Sequence, residues 1–337
     1  MDFNKVCKYD IICLGRVAID FNPVDYFKTL AESDTFIKYV GGSPANIASG
    51  IARLNKKAGF IGKVSNDRFG DFVVDYFKKE GIDTSNISRA KNGESLGLTF
   101  TEILSRDTSS ILMYRNGVAD LALSPEDINA DYIKSAKILL LSGTALAKEP
   151  SRSATLKALQ IAKENGVKVV FDIDYRSYSW ESMEELSVYY SIVAEKADII
   201  MGSREEYDLT NGISPARAKL SDKEIASYYF SKCAEIVIIK HGKKGSFGFT
   251  KSGEAFKVSA FPVEALKSFG GGDGYGSAFL FGLLENKSVL ECLELASASA
   301  SMLVSAHGCS KFMPTEKELT AFIAKDKVNC KARVEKV

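Results

Sequence analysis

Four short apolar runs recur along the middle of the chain, about 30 to 40 residues apart: KILLLSG from Lys137, VKVVFDID from Val167, ADIIMGS from Ala197 and EIVIIKHG from Glu235. Between them the apolar positions take helical spacing. In SRSATLKALQIAKENG, Leu156, Leu159 and Ile161–Ala162 fall near one face, and Asn165–Gly166 supplies a helix stop. Continuous apolar strands alternating with helices predict a parallel sheet covered on both faces. YDIICLG near the start and AGFIGKVS around Phe60 read as further strands of that sheet. Ligands of such sheets gather beyond the carboxyl ends of the strands. The residues there are Ser142–Gly143, Asp172 and Asp174, Gly202–Ser203, and Lys240–His241–Gly242.

Two regions depart from this pattern. ESLGLTFTEIL from Glu94 and SSILMYRNG from Ser109 alternate, are rich in Thr and Ile, and are separated by the polar SRDT. They predict an antiparallel hairpin. A further extended stretch lies between Asp20 and Val40 and ends in TFIKYVGG. The expected architecture is one doubly wound, mostly parallel α/β domain over residues 1–330 with helices on both faces. Residues 18–40 and 95–118 add a small inserted β-sheet, a lid over the strand ends.

Composition narrows the function. Lys plus Arg number 44 and Asp plus Glu 43, so the charge balance gives no reason to expect nucleic acid or an anionic membrane as partner. There is no apolar stretch of about 20 residues, and MDFNKVCKYDIICLG is neither a signal nor a transit peptide, so a cytoplasmic location is expected. The six cysteines form no CxxC pair and read as reduced, mostly buried thiols. His241 and His307 belong to no ligand cluster, and a His-based metal site is not expected.

The chemistry concentrates in SFGGGDGYGSAFLFGLLE, from Ser268 to Glu285. Three consecutive glycines cost backbone entropy and bury nothing. They suit a helix start whose free N–H groups and positive dipole end attract an anion such as phosphate. Asp273 then puts a carboxylate where an anion would sit, which makes sense if it accepts a proton while phosphate is transferred. No GxxxxGK[ST] occurs, so a P-loop is excluded, and the Rossmann GxGxxG fails because its third glycine would fall on Ser277. A second cluster, YVGGSPANIASGIARLN from Tyr39, starts a helix near Pro44. There Asn46 is either a local cap or an amide held near a bound polyol.

Together, GGSPANIASGIARL and KSFGGGDGYGSAFLFG resemble the two signatures of the ribokinase-like (PfkB) carbohydrate kinases, and the likeness runs from about Tyr9 to Pro314. The resemblance implies a core α/β domain, a β lid through which homodimers form, ATP as donor, Mg2+, and a sugar-like alcohol as acceptor. By position it makes Asp273 the catalytic base and Gly270, Gly271 and Gly272 the anion hole for the phosphoryl group. It makes Asp20, Gly42 and Asn46 substrate contacts. Glu206 becomes the acid that acts on Mg2+ through water. Ser203, Lys240, Gly242 and Gly245 fall at the nucleotide phosphates, and Ala298 and His307 at the adenine pocket.

Three positions depart from the family pattern. Ser203 stands where Asn is usual before Glu206, and Gly274 where Ser or Thr follows the base. Lys267 replaces an Asp that helps to build a monovalent-cation site. An ammonium group could stand in for that cation, so weak potassium dependence is expected.

The acceptor must be read outside the shared machinery. Arg115 in ILMYRNGVADL, Arg176 in FDIDYRSYSW and Lys63 after a strand end are each readable as surface cations. Two arginines near one cleft also fit a carboxylate by bidentate pairing, which suggests a sugar acid. The wording of TFIKYVGGSPANIA, ILMYRNGVADL, FDIDYRSYSW and VIIKHGKKGS is similar to the branch of the family acting on the C6 hydroxyl of 5-dehydro-2-deoxygluconate in myo-inositol catabolism. The alternatives are 2-dehydro-3-deoxygluconate, a fructose-type sugar, and a non-catalytic sugar or nucleotide binder.

Overall fold

The computed structural model describes residues 6–106, 108–327 and 334–337. Its strands are β1 (Tyr9–Leu14), β2 (Ala18–Pro23), β3 (Phe36–Gly41), β4 (Ala58–Val64), β5 (Asp83–Arg89), β6 (Gly97–Ile103), β7 (Ser109–Tyr114), β8 (Ala136–Ser142), β9 (Lys168–Asp172), β10 (Ile199–Ser203), β11 (Ile236–Lys240), β12 (Ser246–Thr250), β13 (Ala255–Val258) and β14 (Val334–Lys336). The helices are α1 (Ser43–Arg53), α2 (Arg68–Lys79), α3 (Ala130–Lys134), α4 (Ser151–Glu164), α5 (Met183–Ala194), α6 (Arg204–Asn211), α7 (Asp222–Phe230), α8 (Gly271–Leu284), α9 (Val289–Val304) and α10 (Glu316–Lys327).

Ten strands form one sheet in the order β14-β13-β12-β11-β10-β9-β8-β1-β4-β5, parallel from β11 through to β5. The apolar runs explain why. Along β8, Leu139 and Leu141 point into one core cluster while Ile138 and Leu140 point into the other. Val169 and Phe171 of β9 likewise oppose Val170, and Val237 and Ile239 of β11 oppose Ile236 and Ile238. A strand whose two faces are both apolar needs a helical layer on each side, and the sheet has them. From β1 the chain winds outward to β4 and β5, then returns to β8 on the other flank. The switch in direction between β1 and β8 opens a crevice at their carboxyl ends.

The second sheet has the order β3-β2-β6-β7. The hairpin read from Glu94 onward is β6 and β7, antiparallel with Leu98 opposite Tyr114 and Ile103 opposite Ser109. The side of this sheet that carries Asp20, Asn22, Thr99 and Thr101 is polar and largely buried; Thr101 donates to Asn22 at 3.0 Å. The opposite side carries Phe21, Phe100, Leu112 and Tyr114, with Leu112 and Tyr114 exposed.

Two features lie outside the sequence reading. Strands β12 to β14 add an antiparallel edge of short segments to the main sheet, and β5 extends its other edge. Helices α1 and α8 also touch very closely: a Cβ on Gly50 would lie 2.5 Å from Ser277. That glycine allows the approach which brings the two helix N-termini together. Five cysteines are described, all free thiols, and Cys13, Cys292 and Cys309 are buried; Cys330 lies outside the described residues. Among the described residues no helix is long and apolar enough to cross a membrane.

Candidate active site

Asp273 lies in the first turn of α8, after Gly270 in the left-handed region at φ 85°. A Cβ on Gly270 would lie 2.4 Å from the Cys309 thiol, so both conformation and space call for glycine. The first intrahelical bonds run from Asp273 and Gly274 to the Gly270 carbonyl, so the amides of Gly271 and Gly272 precede the helix ladder. Asn46, in the first turn of α1, donates Nδ2 to Asp273 Oδ2 at 2.7 Å, while its buried Oδ1 has no partner. Burial raises the Asp273 pKa above the ordinary carboxylate range, Asp174 raises it further, and Asn46 and Arg176 oppose the rise.

A group of charges faces the Asp273 carboxylate from the ends of β9, β10 and β11. Asp172 accepts from Ser43 at 3.0 Å and lies 3.6 Å from the Lys240 ammonium. Burial, with repulsion from Asp174, Glu206 and Asp273, pushes Asp172 up to about 7 in spite of Lys240. Burial lowers Lys240, but Asp172 and Glu206 outweigh it and its pKa is raised. The Lys240 ammonium is also the nearest group to a Cβ placed on Gly272, at 3.6 Å, so it borders the glycine loop. Asp174 has a positive φ of 43° and is gripped by Arg176 at 2.7 Å and Ser142 at 2.9 Å.

Glu206 closes a capping box on α6: its Oε2 accepts the Ser203 amide at 2.6 Å, and Oε1 accepts the Tyr175 amide at 2.9 Å. Ser203 therefore serves as the cap that holds Glu206, and both carboxylate oxygens point at backbone donors. No three ligand side chains converge as a metal cage among the described residues. The crowded carboxylates Asp172, Asp174 and Glu206 nevertheless suit an Mg2+ ion held by phosphate oxygens and water, with the acids as outer partners.

The lid covers the other side of the crevice. Asp20 is seated on Gly41, where a Cβ would overlap its carboxylate at 2.1 Å. Burial and Asp273 raise the Asp20 pKa, while Arg16, Thr99 and Lys267 hold it down. Gly42, at φ 98°, caps α1 against the Arg16 carbonyl. Arg115 is almost fully buried and pairs with Asp120 at 2.9 Å, leaving Nε and Nη1 without partners. Lys63 is tied to Asp127 at 2.7 Å and to the Ala122 carbonyl, so it does not reach the crevice as a free cation.

Beyond β11, Gly242 and Gly245 both take positive φ, and a Cβ on Gly245 would lie 1.9 Å from the Val258 carbonyl. This turn stands next to Lys240, on the rim of the same crevice. Two expected nucleotide residues are not brought here. Ala298 is fully buried among Leu54, Phe261, Ala278 and Phe281 between helices. His307 spends both ring nitrogens on the lid side, on Tyr39 at 2.9 Å and the Pro23 carbonyl at 2.8 Å. Gly274 is also explained by packing, since a Cβ there would meet the Ser299 carbonyl of α9 at 3.1 Å.

The sequence reading missed Arg16 and the Tyr178 phenol that faces the same arginines. The one available signal for Arg16 was a basic residue directly after the β1 strand end, in LGRVAID.

Residues 8–316 match the description pfkB family carbohydrate kinase. The chain is 59% identical over 327 residues to the 5-dehydro-2-deoxygluconokinase of Clostridium perfringens, covering 97% of this chain and 96% of that one. It is 50% identical over 321 residues to the protein of the same name from Bacillus subtilis, covering 95% and 98%. In structure it is similar to a sugar kinase of Pyrococcus horikoshii in complex with ATP, with TM-score 0.78, 28% identity, and 94% and 99% of the chains covered. A putative ribokinase II from E. coli with ATP and Mg2+ has the same fold, with TM-score 0.84 at 23% identity and coverage of 94% and 99%.

Proposed function

The chain belongs to the pfkB family of carbohydrate kinases, and from that premise we propose that it transfers the γ-phosphoryl group of ATP to the C6 hydroxyl of 5-dehydro-2-deoxygluconate. The observation that carries the reading is the pairing of Asp273 with Asn46 at a glycine-opened helix start, facing Lys240 and Asp172 across the strand ends. The acceptor is drawn from the names of the similar Clostridium and Bacillus proteins, supported by arginines in the lid half of the crevice.

In this mechanism Asp273 takes the acceptor's hydroxyl proton as the new O–P bond forms and the bond to ADP breaks, so the electron pair leaves with ADP. A carboxylate whose pKa burial raises is a stronger base toward that proton. The amides of Gly271 and Gly272 and the Lys240 ammonium stabilise charge on the transferring oxygens. Asn46 Oδ1 and Asp20 orient acceptor hydroxyls, and the turn at Gly242 and Gly245 holds the nucleotide phosphates. Bound Mg2+ would supply neutralisation of phosphate charge, with Glu206 and Asp174 holding its water shell.

Lys267 takes the part of a monovalent cation. Its ammonium is fully buried and donates to the carbonyls of Phe269 and Leu303, both at 3.0 Å, directly beneath Gly270. The outer lid face, with exposed Leu112 and Tyr114 over Phe21 and Phe100, is read as the contact between two copies of the chain.

The test is ATP-dependent turnover with Mg2+ on 5-dehydro-2-deoxygluconate, 2-dehydro-3-deoxygluconate, fructose and ribose. The proposal predicts the highest kcat/KM for the first acid. A preference for a neutral sugar would retain the kinase and reject the acceptor.

A further inference from the structure

Three guanidinium groups lie around the crevice: Arg16 donates to Thr99 of the lid, Arg115 follows β7 of the lid, and Arg176 follows β9 of the core sheet. Two have carboxylate partners: Arg115 has Asp120 at 2.9 Å, and Arg176 has Asp174 at 2.7 Å. Arg16 is different. It is 6% exposed, donates Nη2 to the neutral Thr99 hydroxyl at 3.0 Å, and leaves Nε buried without a partner. Among the described residues no carboxylate forms an ion pair with it. A buried guanidinium whose direct partner is a neutral hydroxyl, with Asp20 acting on it only from beyond ion-pair distance, is costly unless an anion arrives to share it. Arg16 also stands where the chain passes from β1 of the core to β2 of the lid, so an anion bound there would join the two parts.

We infer that Arg16 is the residue that selects a carboxylate-bearing acceptor, pairing with the acid group at the far end of the carbon chain from the hydroxyl that reacts at Asp273. The assignment rests on the kinase reading above. Arg176 is the less suitable reader: its Nη2 is committed to Asp174, and its charge acts on Asp273, at the phosphoryl end. Arg115 supplies the second face through its unpartnered Nε and Nη1. Asp20 feels both Arg16 and Asp273, as a residue lining the path between the two ends would.

Titration calorimetry with ADP present tests this, using 5-dehydro-2-deoxygluconate and its neutral C1 carboxamide on wild type, Arg16→Gln and Arg16→Lys. Loss of a charge-assisted pair predicts that Arg16→Gln binds the acid about 30-fold more weakly. Binding of the amide should change by less than about threefold, so the preference for the acid collapses. Arg16→Lys should recover part of that preference, which a purely structural role at Thr99 would not give. Equal losses for acid and amide, or an intact acid preference in Arg16→Gln, overturn the assignment. A wild-type protein that binds ADP and neither the acid nor its amide overturns the acceptor reading itself, and this inference with it.

Discussion

At the scale of single residues, the carboxylate proposed as base is tuned by opposing neighbours. Burial and Asp174 favour the neutral form of Asp273, and the Asn46 amide at 2.7 Å favours the charged form. Removing the amide in Asn46→Ala must therefore raise the Asp273 pKa. A hydrogen bond to a charged group is worth about 1.5–3 kcal/mol, so the acid limb of kcat/KM should move up by about 1 to 2 pH units. A pH–rate profile at saturating ATP reads this directly; an unmoved limb would give the proton to another group, with Asp172 the first candidate. Asp273 and Asn46 stand out in the sequence because glycine-rich stretches mark them, Asp20 only through its match to the family pattern; the structure sets Asn46 on Asp273 and Asp20 on Gly41. Arg16 does not stand out, because its significance comes from Thr99, 83 positions away and on a lid strand. The surroundings of Ala298 and His307 were hidden for the same reason: nothing local reveals that one faces a helix core and the other the lid.

At the scale of elements, the site depends on how α8 is anchored. The Lys267 ammonium ties the carbonyl of Phe269, just ahead of the helix, to that of Leu303 at the end of α9. Lys267→Met would take the ammonium donor from the Phe269 carbonyl and from Leu303, whose carbonyl keeps the Ala306 amide, and would loosen the loop that sets the Gly271 and Gly272 amides. We expect kcat to fall by about tenfold or more, the cost of one or two buried hydrogen bonds. Wild-type turnover should be almost unchanged between potassium-free buffer and buffer with potassium. A steep potassium requirement in the wild type would remove Lys267 from that role. The parallel strands were legible because runs such as KILLLS are apolar on both faces, a pattern that only a doubly covered sheet satisfies. The antiparallel edge was not, since SFGFT and AFKV are only five and four residues long, too short for an apolar pattern to separate them from loop.

At the scale of the molecule, the lid has two unlike faces, and each has its use. The polar face covers the crevice with Asp20 and Thr99, while the aromatic face is left partly in water. Light scattering should give twice the chain mass, and Leu112→Glu on the outer face should return it to the monomer with its core melting temperature unchanged. A wild-type monomer would assign that face another purpose. The central claim is that Asp273 is the proton acceptor in phosphoryl transfer, and the most direct measurement is single-turnover transfer by Asp273→Asn, alongside its binding of acceptor and nucleotide. The account predicts a rate lower by at least about a thousandfold, within the range of general-base contributions, with binding held within a few-fold. A variant that still transfers phosphate at a substantial fraction of the wild-type rate would contradict it.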